Sequence, residues 1–93
     1  MTIGVLTLDL LVPGSRSLKD RRRVVKSLKT QLRSRYNCSV AEVGDKESWG
    51  RARIVACVIG DDSRFVNTQL NEIARFAGAK GGAELLDYGI EMM

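Results

Sequence analysis

Apolar and mixed positions alternate with a period of two over residues 2–12. One face of this segment is mixed and carries the only charge, Asp9, whereas the other face consists of Gly4, Leu6, Leu8, Leu10 and Val12. Strict alternation predicts a β-strand that is well buried on one side and partly buried on the other. The Pro13-Gly14-Ser15-Arg16 segment has turn chemistry and is expected to end the strand.

The period then changes to that of a helix, which we predict over residues 17–36. Ser17, followed three residues later by Asp20, has the form of a capping box at the start of this helix. Arg21 falls among the apolar positions, so we expect it either at the N-terminal end beyond the edge of the core or in a specific polar contact. The apolar stripe, wide enough to pack on a sheet, consists of Leu18, Val24, Val25, Leu28, Leu32 and Tyr36.

The second half of the chain predicts two more strands, a helix and a final strand. Residues 37–44 and 51–60 read as strands, and the apolar run of the latter favours a central place in the sheet. The Asp61-Asp62-Ser63 segment starts a second helix that we expect to end near Gly78, and a last strand covers about residues 83–92. The apolar side of the second helix is predicted from Phe65, Val66, Leu70, Ile73, Ala74, Phe76 and Ala77.

The predicted order is therefore β-α-β-β-α-β, without a repeat or a linker. At 93 residues the chain predicts a single domain, residues 1–93. Two helices covering one face of a four-stranded antiparallel sheet form the ferredoxin-like split βαβ sandwich, an α+β fold. Right-handed crossovers give the strand order 4-1-3-2.

Composition narrows the function classes. The hydrophobic fraction of 44% and charged fraction of 28% fit a globular protein. No apolar run approaches the roughly 20 residues that span a bilayer, and we see no signal peptide, so the expected location is the cytoplasm without membrane contact. Histidine is absent, which lowers the expectation of hydrolase or metal chemistry. We predict no cofactor and no metal, and we interpret Cys38 and Cys57 as buried thiols.

The net charge of +4 is unevenly distributed. Residues 15–36 contain nine basic groups and one acid, whereas the rest of the chain contains six basic groups and ten acids. One arc of the predicted helix, called here the cationic face, consists of Lys19, Arg22, Arg23, Lys26, Lys29 and Arg33. These positions extend about 21 Å along the helix axis. Such a row suits a phosphate backbone, although a solvated helix face is the alternative. The near-absence of acids favours the polyanion.

Other segments carry weaker hypotheses. Trp49, near two arginines, could stack a base, but closing the core or filling a subunit contact is the more common role of such a residue. Residues 14–17 could hold one phosphate at the helix N-terminus, whereas residues 78–82 lack phosphate-loop spacing and predict only a turn.

The face of the sheet away from the helices raises two further possibilities. Four acids could meet there and act as a metal or acid–base site, or they could simply be solvated: Asp9, Glu42, Asp87 and Glu91. The partly apolar character contributed by Ile3, Val5 and Leu11 is better explained by a homodimer surface.

Two motifs resemble those of a known family. The first is Ser17-Leu18-Lys19-Asp20-Arg21-Arg22-Arg23 after the first strand, and the second is residues 36–43 followed by Asp45, Trp49 and Arg51-Ala52. They resemble the YlxP-like family of small bacterial proteins, a domain of unknown function often encoded beside translation initiation and ribosome maturation factors. The resemblance covers nearly the whole chain. It implies the ferredoxin-like fold and a loose association with RNA or the ribosome, but no activity, cofactor or catalytic residue.

Two hypotheses follow. The first is a non-catalytic cytoplasmic protein that binds RNA or ribosome phosphates through the cationic face. The alternative is a dimerising ligand-sensing or protein-assembly module with no nucleic-acid role. Only the scattered acids would support the hypothesis of a small enzyme, so we expect no catalysis.

Overall fold

Six elements follow one another in the predicted order. The computed structural model describes residues 1–14, 17–44, 48, 50–80 and 82–93. The elements are β1 (Thr2–Leu11), α1 (Leu18–Arg35), β2 (Ser39–Val43), β3 (Arg51–Gly60), α2 (Ser63–Lys80) and β4 (Glu84–Met92). Their bounds agree with the sequence prediction to within two residues at each end.

The strands form one antiparallel sheet in the order β2-β3-β1-β4. This is the predicted order 4-1-3-2 counted from the opposite edge, so the ferredoxin-like α+β fold is confirmed. β1 and β3 lie at the centre and pair along their whole length, with Ile3 opposite Ile59 and Asp9 opposite Arg53. β2 and β4 are the two edge strands.

Both helices pack on the same face of the sheet. The even-numbered residues of β1 and β3 point toward the helices, and all except the terminal Thr2 and Gly60 are buried, as the period-two pattern requires. α1 contributes Val25, Leu28 and Leu32 to this core. α2 contributes Val66, Leu70, Ile73, Ala74 and Ala77. The prediction that Phe65 belongs to the core was wrong, because it lies in the first turn of α2 and its exposed fraction is 54%.

Close packing explains the glycine at position 4. A Cβ atom added at Gly4 of β1 would lie 2.5 Å from Leu70 Cδ1 and 2.6 Å from Val66 Cγ1. Only glycine therefore lets α2 approach β1 this closely. α2 was predicted to end near Gly78, and it ends two residues later, at Lys80. A Cβ atom at Gly78 would lie 3.4 Å from Leu85 Cδ2, which is an ordinary contact distance, so packing does not require glycine at this position.

The odd-numbered residues of β1 and β3 point away from the helices. This surface, called here the open face, has no covering layer in the described part of the chain. It consists of Ile3, Val5, Thr7, Asp9, Leu11, Arg51, Arg53, Val55, Cys57 and Ile59, flanked by Ser39, Ala41 and Val43 of β2 and by Asp87, Gly89 and Glu91 of β4. Most of these apolar side chains are half-buried, but the exposed fraction of Ile59 is 59%. Within the described residues, neither helix has the length and apolar character that crossing a bilayer requires.

Candidate phosphate-binding surface

α1 sets the direction of the cationic face. The Ser17 side chain accepts a hydrogen bond from the Asp20 backbone N–H at 3.1 Å, which confirms the predicted N-cap. At the other end the Tyr36 N–H donates to the Leu32 carbonyl as the chain turns into an extended conformation. Because Val25, Leu28 and Leu32 fix the rotation of the helix on the sheet, the opposite side of α1 faces solvent.

The structure places all six residues of the cationic face at the surface. Lys29 is partly buried, and the other five are exposed. Four of them converge on one side of α1, where a groove of about 320 Å³ separates the helix from β2. The basic groove, as we call it, is lined on the helix side by Arg22, Lys26, Lys29 and Arg33. Arg23 lies on the other side of α1, in a shallow depression that also contains Lys80.

Arg33 is fixed in place at the wall of the basic groove. Its Nη2 atom donates to the Val40 carbonyl of β2 at 2.9 Å. A guanidinium has five N–H donors, so this contact leaves others available to a ligand. The side chain is therefore already ordered before binding, which reduces the entropy that an incoming anion must offset. Sequence analysis could place Arg33 on the cationic face but not next to β2.

Arg21 lies in the N-terminal turn of α1, on the side that faces the sheet, and its exposed fraction is 0%. Its Nε and Nη2 atoms donate to the Arg51 carbonyl at 3.1 and 2.9 Å, and Nη2 also forms an ion pair with Glu42. The expectation of a specific polar contact is therefore confirmed, and the alternative of a position beyond the edge of the core is wrong. This contact joins α1 to both β2 and the start of β3.

The placement of Glu42 corrects one prediction. Glu42 was grouped with the acids of the open face, but it lies on the helix side of β2, like Val40 two residues earlier. Its side chain, with an exposed fraction of 11%, lies at the floor of the basic groove. An anion that entered deeply would meet this carboxylate, whereas the rim carries four positive charges. The basic groove is therefore better suited to phosphates that cross its rim than to a small anion that is enclosed within the groove.

The remaining acids do not form a metal centre. Asp9 Oδ1 accepts a hydrogen bond from Arg53 Nε at 2.7 Å, and this contact raises the pKa of the Arg53 guanidinium. Asp87 pairs in register with Asp9, and Glu91 pairs with Val5. In the parts of the chain that the structure describes, no three histidine, cysteine or acidic side chains are arranged to hold a metal ion.

Both cysteines are free thiols and are only partly buried, so the prediction of buried thiols was too strong. Burial raises the pKa of the Cys38 thiol above its ordinary value, and the positive charge of Arg33 opposes that shift. Raising the pKa lowers the thiolate fraction at neutral pH, which makes Cys38 a weak nucleophile. Cys57 lies on the open face.

Several predicted features fall outside the described residues. These are Trp49 with its neighbours at 45–47, two residues of the 14–17 segment (Ser15 and Arg16), and Gly81 of the 78–82 turn. Base stacking on Trp49 and phosphate binding by residues 14–17 thus stay predictions. Of the two arginines near Trp49, Arg53 is engaged by Asp9 on the open face, and the Arg51 carbonyl accepts from Arg21.

Comparison with known proteins finds similar proteins whose names state no activity. Over 74 residues, which make up 80% of each chain, the sequence is 23% identical to "Uncharacterized protein YlxP" of Bacillus subtilis (strain 168). Among solved structures, the "De novo designed protein Ferredog-Diesel" matches 98% of this chain and 84% of its own, with a TM-score of 0.47 and 16% identity. The family described as Protein of unknown function (DUF503) matches residues 3–90. The chain therefore belongs to this DUF503 family, which includes the YlxP-like proteins that its two motifs resemble.

Proposed function

We propose that this protein is a non-catalytic cytoplasmic protein that binds RNA or ribosome phosphates through α1. The residues that make contact are Lys19, Arg22, Arg23, Lys26, Lys29 and Arg33. The observation that carries the proposal is the basic groove, where four of these cations line one rim. Glu42, the one carboxylate among the described residues that line this groove, is already paired with Arg21. A phosphate backbone crossing the rim would release counterions and needs no contact with bases.

RNA is favoured over DNA, and the helix side over the sheet side. The chain contains no recognised motif for reading a DNA major groove. Proteins of this fold that read RNA on the sheet stack bases on aromatic residues of the central strands. β1 and β3 contain no aromatic residue, and Thr7 and Asp9 occupy the middle of the open face. The proposed contact is therefore made to the backbone and has little sequence specificity.

The test is binding to a labelled fragment of ribosomal RNA, measured at several salt concentrations. Four to six neutralised phosphates give a slope of log affinity against log salt of about −3 to −5. The double variant Lys26→Glu/Lys29→Glu reverses two charges at the rim and is expected to abolish binding. Both positions face away from the core, so circular dichroism should show an unchanged fold.

The matched control is Arg64→Glu/Arg75→Glu, which makes the same change in net charge on the exposed side of α2. We expect this variant to retain most of the binding, because its charges lie on the other helix. Equal losses from both variants would mean that only the overall charge matters. An absence of binding at low salt would refute the proposed function.

The open face supports a second candidate, a dimerising ligand-sensing or protein-assembly module. Half-buried apolar side chains lie on both sides of Thr7 and Asp9, and Ile59 and Val43 are exposed. Exposed apolar surface of this kind is typical of an interface. Sedimentation equilibrium would reveal the dimer. In this case, charge reversal on α1 would leave the association unchanged.

A further inference from the structure

The open face is divided along the direction of its strands. Toward one end Asp9 of β1 and Asp87 of β4 lie level with Arg53 of β3. Toward the other end the two central strands are apolar, with Val5 paired to Cys57 and Ile3 paired to Ile59, and the edge strand β4 carries Glu91. Across the strands the charged end is divided again, with the acids on β1 and β4 and the basic groups on β3.

We propose that a second copy of this chain packs face to face on the open face, about a two-fold axis parallel to the strands between β1 and β3. The proposal rests on the dimerising function suggested above and does not depend on phosphate binding. Rotation about this axis keeps each residue at its level along the strand but exchanges β1 with β3. Asp9 then lies over the partner's Arg53, and Val5 lies over the partner's Cys57. At these two levels of the central strands, charge meets opposite charge and apolar surface meets apolar surface. Arg51 and Asp87, at the rim of the open face, lie over apolar residues of the partner.

A two-fold axis perpendicular to the strands gives a worse match. That rotation inverts the level along the strand and leaves β1 over β1. Asp9 would lie over the partner's Val5, and Arg53 over the partner's Cys57. Each charge would lose water to an apolar neighbour without gaining a new partner, which is unfavourable. The charge pattern of the open face thus selects the axis parallel to the strands.

The size of the open face fits a small but stable interface. The four strands have ten, ten, nine and five residues, which at about 3.3 Å per residue and about 4.8 Å per strand gives roughly 540 Å² per protomer. The total of about 1,100 Å² is just above the roughly 1,000 Å² expected of a specific interface. The edges of this arrangement bring Ala41 of β2 over the partner's Gly89. Two small residues there let the sheets approach to the usual spacing of about 10 Å.

Cross-linking tests the axis. Ala41→Cys and Gly89→Cys are made as two separate proteins, both also carrying Cys38→Ser and Cys57→Ala. Gly89 tolerates a side chain, since an added Cβ atom has nothing within 4 Å. After mixing, a short bis-maleimide reagent should join Ala41→Cys to Gly89→Cys and should not join either protein to itself. Self-linkage of Ala41→Cys would indicate the perpendicular axis, and self-linkage of Gly89→Cys alone would indicate edge pairing through β4. Either result overturns the proposed axis.

Sedimentation equilibrium separates failure of the axis from failure of the dimer. The unmodified protein and the Cys38→Ser/Cys57→Ala background should both be dimeric at about 100 µM, a concentration at which a micromolar dimer is populated. Ile59→Arg, at a site already exposed in one chain, should weaken the dimer at least about tenfold. Its matched control is Phe65→Arg, which alters an equally exposed apolar residue on the helix side. A monomeric parent, or an Ile59→Arg variant that dimerises like the control, overturns the dimer itself.

Discussion

Arg21 shows how one charged residue can serve the core of a small protein. Its guanidinium is fully buried and is held by the Glu42 carboxylate and the Arg51 carbonyl. A buried charge is tolerated only when it is paired and hydrogen-bonded. The same contact neutralises the carboxylate at the floor of the basic groove, so a core interaction also sets the electrostatics of the candidate site.

We predict that Arg21→Met destabilises the protein by about 3–5 kcal/mol, because it leaves Glu42 nearly buried without its partner. The double variant Arg21→Met/Glu42→Leu removes both charges and should recover part of that loss. Recovery should be incomplete, because the Arg51 carbonyl still lacks its donor, at a cost of about 1–3 kcal/mol. Urea unfolding followed by circular dichroism measures the free energy of unfolding of the unmodified protein, the single variant and the double variant.

The single variant Glu42→Leu completes this cycle. If the two single effects simply add in the double variant, the ion pair contributes no coupling and our account of Arg21 is wrong. We expect instead a coupling free energy above about 1 kcal/mol, as for residues in direct contact.

The sequence predicted that Arg21 is unusual among the apolar positions of α1, but it did not predict which contact Arg21 makes. Arg21 falls among apolar positions of an otherwise clean helical pattern, which limits it to two placements. Choosing between them requires knowing that Glu42 points toward α1. That orientation depends on where β2 begins in its pairing with β3, and a shift of one residue would reverse it.

Among the elements, the contact between α2 and β1 depends on the absence of a side chain at Gly4. Leu70 and Val66 fill the space that a Cβ atom would occupy. A well-packed core relaxes little to admit an extra carbon, so the helix would have to shift away from the strand.

We therefore predict that Gly4→Ala destabilises the protein by about 1–3 kcal/mol. Gly89→Ala is the matched control, because it also replaces a strand glycine but meets open space. This control should be neutral or stabilising by up to about 1 kcal/mol, since alanine restricts the unfolded chain. Thermal unfolding compares the two, and equal melting temperatures would contradict the close packing described at Gly4.

The elements themselves were readily predicted because their periodicities are strong. The shifts in period between residues 12 and 18 and near residue 61 locate both helices to within two residues. α2 ends two residues beyond Gly78, a difference common at helix ends. The close approach of Leu70 and Val66 to Gly4 could not be predicted, because these residues are far from Gly4 in the sequence. Contacts of this kind between distant segments leave no local pattern.

For the molecule as a whole, the layered architecture separates two surfaces. The cationic face lies on the helix side, and the open face lies on the opposite side of the sheet. The sequence predicted the six cations from helical geometry alone. It could not predict the basic groove, since that depends on how far α1 stands from β2.

The contact between Arg33 and β2 has a consequence for the polymerisation of the chain. Unending edge-to-edge growth of a sheet requires two free edges on every copy, and the Arg33 guanidinium donates to the Val40 carbonyl of the five-residue edge strand β2. If this contact keeps another strand from pairing with β2, edge pairing through β4 can join two copies but cannot continue into a filament. We predict that Arg33→Ala forms assemblies larger than a dimer at high concentration, measured by light scattering. Lys26→Ala, from the same face of α1, should not, and identical scattering by the two variants would show that Arg33 does not protect this edge.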